Sequence, residues 1–248
     1  MSLSSPPSCQ HGSMSSPGTP SSHRDPGRPG HPGASEAKAE RRATLRRARR
    51  VAVDSGALVR PGVLADRAAP LALYLEGVAR ERPTVTVAAF WPLPSEPPVL
   101  EVVVVLRRGV EDAGAALRVL FPAASGGAEL DWVEADESSA ALASPGRGFG
   151  DEPPGVRHGP DALARADLIL APALAVDRSG TRLGHGGGYY DRALLYRRPG
   201  VPVVAVVHPS ELLEAGALDR EEHDVPVEAV LTWEGLVGMP GCMLPLGA

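Results

Sequence analysis

Lysine is almost missing from this sequence of 248 residues: among 25 basic residues only Lys38 is a lysine, and the other 24 are arginines. Reactions that need a lysine in the folded body are thereby excluded, Schiff-base chemistry, pyridoxal attachment and a Walker-type phosphate loop among them. Cysteine is nearly as scarce. Cys9 and Cys242 stand near opposite ends, which rules out a disulfide framework and a cysteine zinc cage. No apolar run approaches the about 20 residues that span a bilayer, and the N-terminus lacks the apolar stretch of a signal peptide. The expectation is a soluble, cytoplasmic protein with no membrane partner.

The net charge of −5 hides an asymmetry. Residues 1–50 hold nine basic and three acidic residues, +6, which leaves −11 for residues 51–248. A body of that sign is a poor nucleic-acid surface, and any anion it handles must be held locally. The 43% hydrophobic content is ample for a packed core in one large domain or two small ones.

Residues 1–35 are dominated by Ser, Pro and Gly, 22 of the 35. Such a stretch buries too little apolar surface to offset its ordering entropy, so disorder is expected there, with His11, His23 and His31 solvated. From Glu36 to about Val53 the composition turns to Ala and Arg, a local helix former whose arginines are expected mostly to face solvent. A second helical stretch, about 62–80, must be kinked or divided by Pro70. Strands are expected at 84–90 and 117–121, and at the short apolar runs 167–172, 201–207 and 227–231. Residues 99–106 have the β-branched content of a strand but fall where an alternating fold wants a helix. Short helices are expected at 189–196 and 209–215. The pattern gives a single three-layer α/β/α domain with a mainly parallel, Rossmann-like sheet over residues 36–236, and a C-terminal tail at 237–248.

One segment carries chemistry. From Asp167 a buried strand leads through Gly180, Gly184, Gly186, Gly187 and Gly188 to a helix beginning near Tyr189. Ligands of open α/β sheets bind beyond the carboxyl ends of the strands, where glycines let backbone N–H groups approach a phosphate. Arg182 would add a forked cation, and Asp191, in the first turn of the helix, a carboxylate suited to Mg²⁺ beside phosphates. The glycine spacing is not that of the dinucleotide fingerprint and no GK[ST] follows, so a merely flexible turn, with both tyrosines packed on the sheet, stays open.

The run from Gly180 to Asp191, GTRLGHGGGYYD, preceded by PALAVD, closely resembles the signature of 5-formyltetrahydrofolate cyclo-ligases (methenyltetrahydrofolate synthetases). The resemblance extends over residues 36–236. It implies that Arg42 and Arg46, at the place of a family Lys-x-x-Leu-Arg, contact the phosphates of ATP together with Arg182. The turn residues Gly184, His185, Gly186, Gly187, Gly188 and Tyr189 would complete that ATP site, with no lysine near it. Glu96, Trp132 and Tyr190 would contact the substrate, and Asp191 and Asp224, the latter in a family His-Asp pair with His223, would hold Mg²⁺. Glu152 and Pro153 match a family pair of architectural type. The departures are arginine for lysine at Arg42, valine at Val176, His185 beside the phosphates, and glycine at Gly187.

The implied activity is the ATP- and Mg²⁺-dependent conversion of 5-formyltetrahydrofolate to 5,10-methenyltetrahydrofolate, by a monomer whose partners are small molecules and not nucleic acid. Two other readings remain. One is a non-catalytic homologue that binds folate or nucleotide, because the lysine losses fall at the phosphate site. The other is a sugar-phosphate isomerase of similar fold.

Overall fold

The structure, a computed structural model, describes residues 32–56, 61–140, 142–143, 151–221 and 224–246. Its helices are α1 (Pro32–Asp54), α2 (Val63–Asp66), α3 (Ala69–Ala79), α4 (Val99–Asp112) and α5 (Tyr189–Ala193). The strands are β1 (Thr84–Ala88), β2 (Ala116–Ala124), β3 (Leu130–Glu134), β4 (Leu142–Ala143), β5 (Asp151–Glu152), β6 (Arg157–His158) and β7 (Leu168–Pro172). They continue with β8 (Ala175–Asp177), β9 (Arg182–Leu183), β10 (Val203–Val206), β11 (Leu212–Leu213), β12 (Ala229–Thr232) and β13 (Gly235–Gly238). The first 31 residues of the expected tail, and His223, lie outside the described residues. Helix α1 begins at Pro32, four residues before the expected start.

Eight strands form the central sheet in the order β13-β12-β10-β7-β1-β2-β3-β6. The middle five, β12 to β2, pair in parallel, whereas β13, β3 and β6 are added antiparallel at the edges. Along each central strand successive side chains go to opposite faces. Leu168, Leu170, Val204 and Val206 therefore join one core with α2, α3 and α4. Ile169, Ala171, Val203 and Ala205 join the other, covered by α5 and the short 3₁₀ turns Pro160–Arg165 and Leu194–Tyr196. The sheet is buried on both faces, which is why its strands read as unbroken apolar runs and not as alternation.

Residues 99–106 are helical. Val99, Val102, Val103, Leu106 and Val110 are the buried positions of α4, a spacing of three and four that outweighs the β-branched composition. Pro70 divides its stretch as expected: α2 ends at Asp66, and Pro70 sits in the first turn of α3, where no N–H is needed. The helix expected at 209–215 is instead a 3₁₀ turn, Pro209–Glu211, followed by β11. The boundary expected at residue 236 falls inside β13, and Met239 and Leu244 are buried beyond it. At the N-terminal edge of the sheet, Asp167 accepts hydrogen bonds from Arg82 (2.8 Å), Arg198 (2.7 Å) and the Thr86 amide (2.9 Å), fastening β7 to β1.

Because the five central strands run the same way, the loops after β1, β7 and β10 gather at one end. Glu96 lies in the first, Ala173 in the second, and His208 and Glu211 in the third. Helix α1 docks at that same end, its Leu45 packing on the small three-stranded sheet β11-β8-β9.

Candidate functional site

Between β7 and the glycine turn the chain makes a detour. Strands β8 and β9 form a hairpin, turning at Gly180 with φ 82°. A side chain there would meet the Val227 carbonyl oxygen at 2.7 Å, so glycine is required both by its dihedral and by its neighbour. Asp177 holds the hairpin from inside. Its Oδ1 accepts from the Ser179 amide (3.0 Å), the Ser179 hydroxyl (2.6 Å) and the Thr181 amide (3.1 Å), and its Oδ2 from the amides of Gly216 (3.0 Å) and Leu218 (3.2 Å). Burial works against the charged form, but the hydrogen bonds from Ser179, Leu218 and Thr181 prevail and lower the pKa of Asp177 below the ordinary aspartate value.

The hairpin delivers Arg182, then the turn 184–188. Helix α1 closes over this turn through its polar face. Arg42 Nε donates to the Gly184 carbonyl at 3.1 Å, Arg46 donates to the His185 carbonyl, and Arg41 to that of Ala217. Gly186, with φ 101°, passes directly under Arg42, whose Cδ and Nε would lie 3.6 Å from any Cβ added there.

Two clefts meet at the turn. The apolar one is walled by Phe90, Trp91, Leu93, Glu96 and Tyr190, and it also takes in His185, Gly187, Gly188 and Tyr189. The polar one lies between α1 and the 217–224 loop, lined by Lys38, Arg41, Arg42 and Asp224. Arg182, Gly184 and Asp191 line both. Arg182 Nη2 donates to Asp191 Oδ1, and the guanidinium carbon lies 5.8 Å from the centre of the Tyr190 ring. This ion pair is the partition between the clefts.

Glu96 enters the apolar cleft from the loop after β1 with only 5% of its side chain exposed. Its Oε2 accepts the Leu93 amide at 2.9 Å, and its Oε1 stands 3.0 Å from His185 Nε2. Tyr190 is held against the same wall. Burial first, then the Glu96 charge, push its phenol pKa well above the ordinary value, with Arg182 opposing. The phenol oxygen is buried and has no hydrogen-bond partner among the described residues. A neutral phenol so placed is a donor awaiting an acceptor.

The structure brings most of the expected residues together, with four qualifications. His185, Gly187, Gly188 and Tyr189, expected at ATP, line the apolar cleft and not the polar one. Trp132 is fully buried and lines neither cleft; it packs edge-on behind Tyr190 with ring centroids 6.4 Å apart. Arg46 and Gly186 also line neither cleft, serving the turn itself. Lys38, expected far from any phosphate, lies on the polar cleft, because it is one helical turn before Arg42 on the same face of α1. There it pairs with Glu221 at 2.6 Å. Glu152 is architectural as expected, its Oε2 accepting the Ala124 amide at 3.0 Å.

Most arginines of α1 are exposed as expected, Arg41, Arg46, Arg47 and Arg50 among them, with Arg42 half-buried and Arg49 the exception. Arg49, which sequence reasoning passed over, is 3% exposed and forks onto Glu211 through Nε (2.6 Å) and Nη2 (2.8 Å). The signal was there: Lys38, Arg42, Arg46 and Arg49 are spaced by four, four and three, a single basic helix face that borders the glycine turn and is buried at Arg49. As for a metal, no group of three or more His, Cys, Asp or Glu able to hold an ion occurs among the described residues. Asp191 and Asp224 do share the polar cleft with cationic side chains. One or two carboxylates completed by substrate phosphates is a donor set that Mg²⁺ accepts, so the residues fit it.

Comparison with known proteins shows the family and the fold. The model of the 5-formyltetrahydrofolate cyclo-ligase family matches residues 34–233. A 5-formyltetrahydrofolate cyclo-ligase of Mycolicibacterium smegmatis is 39% identical over 153 residues, 59% of this chain and 73% of that protein. The Escherichia coli protein of the same name is 40% identical over 77 residues, 29% of this chain and 41% of its own length. The NMR structure of Aquifex aeolicus 5,10-methenyltetrahydrofolate synthetase shares the fold, with a TM-score of 0.55 at 23% identity over 82% of this chain and 92% of that one. By the span of that family match, the chain belongs to the 5-formyltetrahydrofolate cyclo-ligase family.

Proposed function

We propose that the protein converts 5-formyltetrahydrofolate and ATP to 5,10-methenyltetrahydrofolate, ADP and phosphate. The observation that carries this reading is the meeting of an aromatic, apolar cleft with a cationic, polar one across the Arg182–Asp191 pair. A flat pterin suits the first and a triphosphate the second. Their common edge is where a γ-phosphoryl group would meet a formyl oxygen.

A formamide carbonyl is a poor electrophile and its oxygen a poor leaving group. Transfer of the γ-phosphoryl breaks the bond to the β-phosphate oxygen and forms one to the formyl oxygen, giving an iminium phosphate at N5. The N10 lone pair then attacks the formyl carbon, the C–O bond breaks, and the N10 proton leaves with the phosphate. Such a path asks for placement and charge neutralisation more than for a covalent nucleophile. Arg42, with Lys38 and Arg41 beside it, offers cations to the phosphates, while Arg46 holds the turn that faces them. Arg182 sits where charge passes from one reactant to the other. Glu96 and the Tyr190 phenol face the pterin end, and Trp132 supports Tyr190 from behind. Asp191 and Asp224 would hold Mg²⁺, which when bound neutralises phosphate charge.

Among the described residues no helix is long and apolar enough to cross a membrane, and the scarcity of cysteine suits a reducing compartment such as the cytoplasm. The test is direct: protein, ATP, Mg²⁺ and 5-formyltetrahydrofolate together develop the near-ultraviolet absorbance of the methenyl product. Absence of that band under excess ATP refutes the reading.

A further inference from the structure

Arg49 follows Arg46 on the basic face of α1 but lines neither cleft. Its guanidinium is anchored on two sides: Glu211 takes Nε and Nη2, and the Ala173 carbonyl accepts Nη2 at 2.6 Å. The remaining nitrogen, Nη1, is buried, has no hydrogen-bond partner among the described residues, and stands 3.9 Å from Glu96 Oε1. That oxygen is the one His185 approaches from the cleft side. One buried cation is therefore shared between a carboxylate that fixes it, Glu211, and a second that forms the cleft wall, Glu96. A buried donor without an acceptor is costly, and in a water-excluded site the attraction between Nη1 and Glu96 strengthens.

Resting on the cyclo-ligase reading, we infer that Arg49 is a positioning residue: it is anchored by Glu211 and Ala173, and its unpartnered edge holds the Glu96 carboxylate in one orientation toward the bound pterin. Arg49 thus acts on the folate end of the reaction although it stands on the helix whose other basic residues serve the phosphate end.

That division supplies the test. The variants Arg49→Gln and Glu96→Gln and their double are compared by steady-state kinetics, with KM determined separately for each substrate. Arg49→Gln is expected to lower kcat/KM for 5-formyltetrahydrofolate about tenfold, the loss of roughly one charge-assisted contact. KM for ATP is expected to stay within about twofold of the parent. In the Glu96→Gln background the same change adds less than about twofold, because its target is already gone. A merely structural role predicts otherwise: loosening α1 would raise KM for ATP as well, through Arg42 and Arg46, and the two losses would multiply. Either result overturns the inference, as does an unchanged folate constant.

Should Arg49→Gln fail to fold, as circular dichroism would show, Arg49→Lys takes its place in the same cycle. Lysine keeps the charge beside Glu211 but cannot fork to both carboxylates, so a partial loss confined to the folate constant is expected. A wild-type enzyme that neither turns over nor binds 5-formyltetrahydrofolate overturns the functional reading and this inference together. Wild-type turnover with multiplying losses overturns this inference alone.

Discussion

Changing Asp177 to asparagine alters one oxygen and almost nothing in shape, yet it should be among the most damaging substitutions in the chain. The carboxylate is fully buried and all of its acceptor capacity is used, Oδ1 by Ser179 and Thr181 and Oδ2 by Gly216 and Leu218. An asparagine must turn its amide nitrogen toward one of these sets. In one rotamer the Gly216 and Leu218 amides lose their acceptor, and in the other the Ser179 and Thr181 amides do; each leaves one buried and one part-buried N–H group unsatisfied. At roughly 1–3 kcal/mol for the buried donor and less for the part-buried one, a loss of about 2–4 kcal/mol is expected. Urea unfolding at neutral pH measures it, and a loss below about 1 kcal/mol would mean that these amides find other acceptors and Asp177 does not hold the hairpin.

The pH dependence of the same pair of proteins gives an independent check. The folded-state pKa of Asp177 is depressed below the ordinary value of 3.8, so its contribution is complete above that value and lost as pH falls through the folded one. The stability gap between wild type and Asp177→Asn should therefore narrow on acidification below 3.8 and be flat above it. A gap that widened in acid would reverse the sign and end the argument.

Arg46→Ala should raise KM for ATP about tenfold, through the turn carbonyl it holds, with a smaller effect on the folate constant, as initial-rate kinetics would show. Gly180→Ala, at φ 82° and with its Cβ 2.7 Å from the Val227 carbonyl oxygen, should cost about 2–4 kcal/mol in the same unfolding assay. Trp132→Phe removes a buried Nε1 that has no partner among the described residues. It should cost only about 1 kcal/mol and leave the folate constant within about twofold; a tenfold change would place Trp132 at the substrate.

The site was legible in the sequence where chemistry and backbone demand the same residues. The glycines of the turn, Arg182 and Asp191 lie within a dozen positions, and the helix spacing of Arg42 and Arg46 survives translation into space. The central strands were legible because burial on both faces leaves apolar runs. Residues 99–106 were ambiguous because valine reports β-propensity, while the buried positions of α4 follow a helical period fixed by the sheet beneath. Arg49 and Lys38 were missed for the opposite reason. A buried arginine on a solvent-facing basic helix violates the expectation that charges face water, and only the distant Glu211 carboxylate and Ala173 carbonyl make Arg49 a buried one, as the distant Glu221 draws Lys38 to the cleft. Trp132 shows the limit of a motif. The family resemblance implies a place near the pterin, whereas burial is the commoner fate of a tryptophan; β3 points the ring into the core, so its influence passes through Tyr190.

The account turns on direct contact between triphosphate and formyl group at the Arg182–Asp191 boundary. 5-Formyltetrahydrofolate carrying ¹⁸O in its formyl oxygen tests it in one turnover experiment with ATP, read by mass spectrometry of the released phosphate. The account predicts that each methenyl product is matched by one phosphate containing the label. Label appearing in water while the phosphate stays unlabelled would show that the γ-phosphoryl group never reached the formyl oxygen, and the account would fall.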